Sequence, residues 1–434
     1  MGELSIWPFS LSIAVFLLTY AGILSERANR TVVALSGAVL MIAFGSWFSF
    51  YDVRQAVEAI DFNTISLLLG MMIVVVIFKR TGFFQYLAIW AAKLAHGKPW
   101  LLMVYLGLIT SLVSMVLDNV TTIIIMAPVT VSIADILGIP ILPFLMSEVL
   151  LSNIGGVATL IGDPPNILIG SAAGFSFTDF LVHLAPIVLV CWAVAQGLLL
   201  FMFRKSLSQN LTNIPHLMGM NERRAITDPQ TTRRMLETLA ATIILFLVHE
   251  RIGLDAGLVA LSAACIGLLW VRPKLDEILK DVSWDVLLFF ASLFIIVGGL
   301  EAGGILGLAS NGIAALSARG TLLAGIVLLW GGALASGMIS NVPFTIAMLP
   351  VLKGLASQGV QVEPLWWALA LGVGFGGNLT QIGAAANVMV VSLSESMGEK
   401  LTFKGWLKKG SPIAIVTCIA GSVALIVMNA VGLL

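Results

Sequence analysis

Two polar clusters inside strongly apolar sequence hold the residues of this chain whose types and spacing can do chemistry. The first, LDNVTTIIIMAPV, begins at Leu117, and the second, SNIGGVATLIGDPPNILIG, begins at Ser152. In hydrocarbon an unpaired backbone group is costly, so a helix is interrupted only where protein or a cavity surrounds the break. The two clusters therefore predict a binding site within a membrane.

The composition is that of a membrane protein. Of 434 residues, 59% are hydrophobic and 11% charged, against roughly 25% charged in soluble domains. Long apolar runs predict an all-α polytopic membrane protein in the lipid bilayer. The net charge is zero, which gives no indication of a nucleic-acid partner. The three cysteines stand singly, and no nucleotide loop, histidine cluster or serine elbow is present, so neither a metal site nor an enzyme is predicted.

The second half of the chain repeats the first. At a spacing of 222 residues, Ser114, Asn119 and Pro128 match Ser336, Asn341 and Pro350. At a spacing of 221, the glycines, threonine and asparagine of the second cluster match their counterparts: Gly155, Gly156, Thr159 and Asn166 with Gly376, Gly377, Thr380 and Asn387. This pattern predicts an internal duplication of almost the whole chain.

The predicted halves are residues 1–203 and 236–434, joined by a hydrophilic cytoplasmic linker, 204–235. Each half contains one run with a polar middle, 100–137 or 321–357, which is either two full spans or one re-entrant hairpin. Each also contains one broken helix, 143–170 or 363–395.

Basic residues predict the orientation, because lysine and arginine concentrate in cytoplasmic links. Nineteen of the 23 fall on the linker side; Arg54, Arg251, Arg319 and Lys353 fall on the other. With five spans in each half, the second half must be inverted, and both termini lie outside the cytoplasm. An inner-membrane location is expected.

In inverted-repeat carriers, broken helices aim their ends at a substrate near the midplane. The hairpin tips and the breaks are therefore expected to bind substrate, although small and polar residues also serve helix packing. The expected substrate-binding residues are Asn119, Thr121, Thr122, Gly155, Gly156, Thr159, Asn166, Ser340, Asn341, Thr345, Gly376, Gly377, Asn378, Thr380 and Asn387.

Three carboxylates at membrane depth occur only in the first half. Asp118, Asp163 and Glu148 are matched in the second half by serine, alanine and leucine. Such groups usually mark proton or cation pathways, so H+ or Na+ is the expected coupling ion and no other cofactor is predicted. The alternative for Asp163 is capping of a helix that begins at Pro164.

The motifs LDNVTT, NIGGVATLIGDPPN, SNVPFT and GGNLTQIGAAANV resemble the ion transporter superfamily over nearly the full length. The chain looks most like the branch of arsenical-pump membrane proteins, NhaD-like Na+/H+ antiporters and the P protein. The resemblance implies an elevator-type fold with two re-entrant hairpins, often a homodimer. Dicarboxylate carriers of the superfamily carry Ser-Asn-Thr at both tips, whereas this chain has Asp118-Asn-Val and Ser340-Asn-Val.

The sequence thus predicts a secondary transporter that works by alternating access, exporting arsenite, antimonite or a similar small inorganic ion in exchange for protons. Na+/H+ exchange fits the same carboxylates. The pattern is also compatible with the passive membrane subunit of an ATP-driven arsenical pump with a cytoplasmic ATPase partner, with a channel, with a dicarboxylate carrier, or with a scaffold that binds partners through its linker.

Overall fold

A computed structural model describes residues 6–25, 27–208, 214–304, 313–314, 317 and 320–432. Arg319 and residues 209–213 of the expected linker lie outside the described residues. Every regular element in the described ranges is helical, which confirms the all-α class.

The first part of the chain forms twelve helices. They are α1 (Ile6–Leu24), α2 (Arg30–Trp47), α3 (Val53–Glu58), α4 (Phe62–Lys79), α5 (Phe83–Leu94), α6 (Pro99–Ser114), α7 (Asn119–Leu137), α8 (Leu142–Gly156), α9 (Pro164–Ala173), α10 (Phe177–His183), α11 (Ala185–Leu207) and α12 (Ile214–Gly219). A short 3₁₀ helix, Glu222–Ala225, follows.

The remaining described helices are α13 (Pro229–Val248), α14 (Ala256–Val271), α15 (Leu275–Asp281), α16 (Trp284–Ala302), α17 (Thr321–Ile339), α18 (Asn341–Ser357), α19 (Glu363–Gly376), α20 (Ala385–Ser396), α21 (Phe403–Leu407) and α22 (Gly410–Ala430).

By length and composition, seven described segments can cross a membrane: Arg30–Trp47, Phe62–Lys79, Asn119–Leu137, Ala185–Leu207, Trp284–Ala302, Thr321–Ile339 and Phe403–Ala430. Three shorter apolar helices accompany them, namely Pro8–Ile23, Pro99–Ser114 and Ala256–Val271. The chain is therefore a multi-pass membrane protein.

The helices are interrupted where backbone chemistry disfavours continuation. In α7 the first turn is capped by Asp118, whose carboxylate accepts a hydrogen bond from the Thr121 amide at 2.9 Å. Pro164 and Pro165 occupy the first turn of α9, where a missing N–H costs nothing. Ser340, between α17 and α18, has φ of 86°, a region that L-residues other than glycine seldom adopt.

The helices on either side of the predicted tips and breaks pack together in a reciprocal pattern. In the first half α6 packs against α8, and in the second α17 packs against α19. The contacts between the halves are reciprocal: α7 of the first half packs against α20 of the second, and α18 of the second half packs against α9 of the first. Helices α1, α2, α4, α13, α14 and α16 pack mainly on one another and form a second group beside this core.

Matched serines make matched hydrogen bonds. The Ser114 hydroxyl donates to the Ser152 carbonyl at 2.9 Å, and the Ser336 hydroxyl donates to the Val373 carbonyl at 2.7 Å. These are the same contact in two copies, because both the donors and the acceptors are related by the repeat spacing.

Polar contacts hold the segment after α12 against the α4–α5 turn and against the last turn of α5. The Thr227 amide donates to the Thr81 carbonyl at 2.9 Å. The Lys93 ammonium donates to the Met220 carbonyl at 3.0 Å and to Glu222 at 2.7 Å. The hydrogen bond from Lys93 holds the pKa of the Glu222 carboxyl below its usual value.

Glu222→Gln should lower the thermal midpoint of unfolding slightly at pH 7. A carboxyl whose pKa is depressed on folding contributes stability above its unfolded pKa of about 4.3 and loses it as the pH falls through the folded pKa. The gap between parent and variant should therefore shrink as the pH falls below the unfolded pKa of about 4.3 and close once the pH is below the folded pKa, where the parent carboxyl is also neutral. Glu250→Gln is the control, because Glu250 makes no ion pair among the described residues. An unchanged gap at low pH would contradict the ion pair.

Candidate functional site

One cavity of about 80 Å³ lies where the two predicted hairpin tips meet the two breaks. The first tip contributes Asp118 to Thr121, and the second contributes Ser340 to Val342. Asp163 and Pro164 line it from the first break, and Ala385 lines it from the second. The opposite walls come from α2, α4, α7 and α16: Arg30, Leu68, Met72, Ile124, Ser283, Val286, Phe289 and Phe290.

Asp163 lies at the junction of the two tips. Its side chain is 1% exposed. The Asn341 amide donates to its two carboxyl oxygens at 3.2 and 3.3 Å, and the Asn119 amide lies 3.5 Å from one of them. Asp163 makes no ion pair among the described residues. Since an isolated buried charge is costly, this carboxyl is suited to hold a proton or a cation.

Of the two aspartates at the cavity, Asp118 caps a helix with its side chain and Asp163 does not. Asp163 precedes two prolines, yet its side chain makes no capping hydrogen bond to α9. Asp118 does cap its helix and lines the cavity with its remaining surface. The capping role considered for Asp163 is therefore wrong, because its carboxyl faces the asparagines of both tips.

Behind the cavity, buried asparagines join the two halves. The Asn119 amide donates to Asn153 at 3.0 Å. The Asn153 amide donates to the side-chain oxygens of Asn378 at 2.8 Å and Asn387 at 2.9 Å. Asn378 in turn donates to the Leu150 carbonyl at 3.0 Å.

Both breaks are closed by the same residue types. Asn166 donates to the carbonyls of Gly156, Val157 and Thr159, and Asn387 donates to those of Gly377 and Thr380. The hydroxyls of Thr159 and Thr380 donate to Met115 and Gly337 in the hairpins. These four side chains shape the breaks and do not line the cavity.

The four predicted glycines pack against protein, not against the cavity. A Cβ on Gly155 would lie 2.7 Å from the Ser111 carbonyl oxygen, and one on Gly376 would lie 2.3 Å from Ala333 Cα. A Cβ on Gly156 would lie 2.7 Å from the Gly162 carbonyl oxygen, and one on Gly377 would lie 3.3 Å from Ala384 Cβ.

Gly376→Ala should destabilise the protein by about 1–3 kcal/mol, because the added carbon meets backbone atoms of α17 and overpacking costs energy of this order. Gly197→Ala is the matched control, since a Cβ there meets nothing within 4 Å and alanine is the better helix former. Thermal unfolding of purified protein measures both. Equal midpoints for the two variants would contradict the close approach.

Three further predicted residues lie away from the cavity. Glu148 is fully buried between α7 and α8 and accepts a hydrogen bond from the Thr130 hydroxyl at 2.5 Å. Thr345 donates to the Asn341 carbonyl within its own helix. Thr122 is buried and does not line the cavity.

Sequence reasoning missed two residues. In the sequence, Arg30 is only one of the basic residues that predict the orientation. In the structure it lines the cavity, and its guanidinium lies 5.4 Å from the centre of the Phe289 ring. Asn153 lies within the SNIGG motif, but its match in the second half is Gly374. A search for repeated polar residues therefore passes over it.

Comparison with known proteins gives the family. The profile of the citrate transporter family (CitMHS) matches residues 20–372. The 46 kDa membrane protein of Mycobacterium leprae is 41% identical over 413 residues, covering 94% of this chain and 96% of that protein. An uncharacterized transporter of Mycobacterium tuberculosis is 39% identical over 419 residues, covering 96% and 97%.

The P protein of Homo sapiens is 32% identical over 507 residues, which cover 97% of this chain and 60% of the P protein. The crystal structure of the YdaH transporter of Alcanivorax borkumensis is similar, with a TM-score of 0.58 at 16% identity, covering 98% of this chain and 99% of that one. These matches confirm the resemblance to a membrane transporter family and do not extend it to arsenical pumps or NhaD-like antiporters. The chain belongs to the citrate transporter family of membrane transporters.

Proposed function

We propose that this protein is a secondary transporter in which Asp163 binds the coupling cation, H+ or Na+. The observation that carries the proposal is the position of this carboxyl, which is buried at the meeting point of both tips and contacts an asparagine from each. Carboxylates at membrane depth mark ion pathways. A cation there would neutralise the charge while Asn119 and Asn341 supply amide oxygens after rotation of their side chains.

The transported solute in this proposal is a small carboxylate anion. Among the described residues that line the cavity, Arg30 is the one that is basic, and guanidinium groups bind carboxylates with two parallel hydrogen bonds. The matched family is a citrate transporter family, which supports the same class. The names of the relatives give no support to arsenite, the solute expected from sequence.

A second candidate is Na+/H+ exchange. It is favoured by the presence of Asp118 and Asp163 in one cavity. Two carboxyls facing the same space would repel an anion unless one of them is neutralised, whereas they would attract Na+.

The proposed architecture is two inverted halves, 1–203 and 236–434, that move by alternating access in the inner membrane. The reciprocal contacts of α7 with α20 and of α18 with α9 support the duplication. An elevator motion, a homodimer, external termini and a coupling role for Glu148 are part of this proposal.

The test is flux into liposomes that contain the purified protein and no ATP. Radiolabelled citrate, succinate and arsenite are offered under an imposed H+ or Na+ gradient, and proton release on adding Na+ is followed in parallel. Accumulation of a carboxylate that collapses with the cation gradient is the expected result. Proton release on adding Na+, without accumulation of any of the three solutes, would replace the proposed carboxylate transport by Na+/H+ exchange. Accumulation of arsenite alone would restore the sequence prediction.

A further inference from the structure

Asn153 is the point where the amide groups of the two halves meet. It is 1% exposed, accepts one hydrogen bond from the first half and donates two to the second. Both hydrogens and the oxygen of one amide group are thus committed, so the orientation of this side chain fixes which neighbours must donate and which must accept.

The first-half end of this chain of bonds reaches the proposed cation site. The Asn119 nitrogen lies 3.0 Å from the Asn153 oxygen and 3.5 Å from the Asp163 carboxyl. If Asp163 binds Na+ or a proton, Asn119 gains by turning its oxygen toward the site. Its oxygen would then face the oxygen of Asn153, and this repulsion is relieved when Asn153 also turns.

The second-half end holds the shape of the second break, residues 377–384. The Asn387 amide donates to the carbonyls of Gly377 at 2.7 Å and Thr380 at 2.9 Å. The Trp406 indole donates to the Asn378 carbonyl at 3.1 Å. Turning Asn153 would remove its donors from Asn378 and Asn387, and buried acceptors without donors are costly. A change in cation occupancy at Asp163 therefore alters the hydrogen bonds that hold the second break.

The repeat shows that this bonding is not general helix packing. The residue matched to Asn153 is Gly374, where a Cβ would lie 2.2 Å from the Val157 side chain. Val157 is itself matched to Asn378. The contact between these two matched positions thus occurs twice. It joins the amides of Asn153 and Asn378 in one copy, and Gly374 and the apolar side chain of Val157 in the other. In the amide contact the first-half member, Asn153, belongs to the half that also carries Asp163, which alanine replaces in the second half.

We propose that Asn153 is a positioning residue that couples cation occupancy at Asp163 to the conformation of the second break. The inference rests on the proposed cation site and deepens it, since it names how binding in one half changes the other. The coupling is a change in amide orientation. It begins at Asn119, continues at Asn153, and changes the hydrogen bonds of Asn378 and Asn387.

The test is hydrogen exchange of the purified protein in NaCl and in choline chloride at one pH, repeated at a lower pH with exchange times scaled for the intrinsic rate. In the parent, cation binding should change exchange both at residues 118–121 and at 377–387. In Asn153→Ala the response at 118–121 should remain and the response at 377–387 should fall severalfold. Persistence of the response at 377–387 in this variant would overturn the inference.

Further variants separate coupling from folding. Asn153→Asp has nearly the same shape and offers at most one donor where the amide offers two. It should also lose the response at 377–387, and it tests the inference if the alanine variant does not fold. Ser147→Ala, a buried change on the same helix outside these bonds, should keep both responses. Absence of any response at 118–121 in the parent would instead remove the cation site itself, and the inference with it.

Discussion

Replacement of Asp163 by asparagine should abolish cation-driven accumulation of the transported anion in liposomes. The variant keeps the shape of the side chain but cannot bind a proton or balance a cation. Interactions with a charged group contribute about 1.5–3 kcal/mol, so affinity for the coupling cation should fall by about 10- to 100-fold. The measurement is initial uptake rate against cation concentration.

Exchange of internal for external anion should survive in this variant, because neutral asparagine resembles the cation-loaded state. Asp135→Asn is the matched control, since Asp135 lies on α7 and is exposed. Normal gradient-driven accumulation by Asp163→Asn would remove this residue from the coupling mechanism.

Replacement of Arg30 by glutamine should raise the KM for the anion by about 10- to 100-fold, because a charge-assisted hydrogen bond is worth about 1.5–3 kcal/mol. Arg30→Lys should recover only part of the affinity, since an ammonium group lacks the planar fork that matches a carboxylate. The KM is measured in the same liposomes at saturating cation.

Arg27→Gln serves as the control for general loss of positive charge, because Arg27 is exposed in the loop just before α2 and does not line the cavity. An unchanged KM in Arg30→Gln would contradict anion binding at this residue. If the protein instead exchanges Na+ for H+, Arg30→Gln should leave proton release on Na+ addition intact, which distinguishes the two candidate functions.

The helix interruptions were predictable because their causes are local. A proline at the start of α9, a glycine at the end of α8 and polar residues at Asp118 and Ser340 act on their own turns of backbone. In the structure α8 ends at Gly156 and α9 begins at Pro164, next to these residues. The packing of Gly155 and Gly376 against neighbouring backbone, by contrast, depends on partners that lie about 40 residues away in the chain.

The sequence by itself determined the membrane class, the helical architecture and the positions of the tips and breaks, because hydrocarbon allows few backbone solutions and each break has a local signature. Only the tertiary structure decided that Asp163 faces both asparagine tips while Asp118 caps a helix, that Arg30 enters the cavity and that Asn153 joins the halves. The physical reason is that these roles follow from the rotation of each helix about its axis and from contacts between distant parts of the chain, which no single stretch of sequence contains.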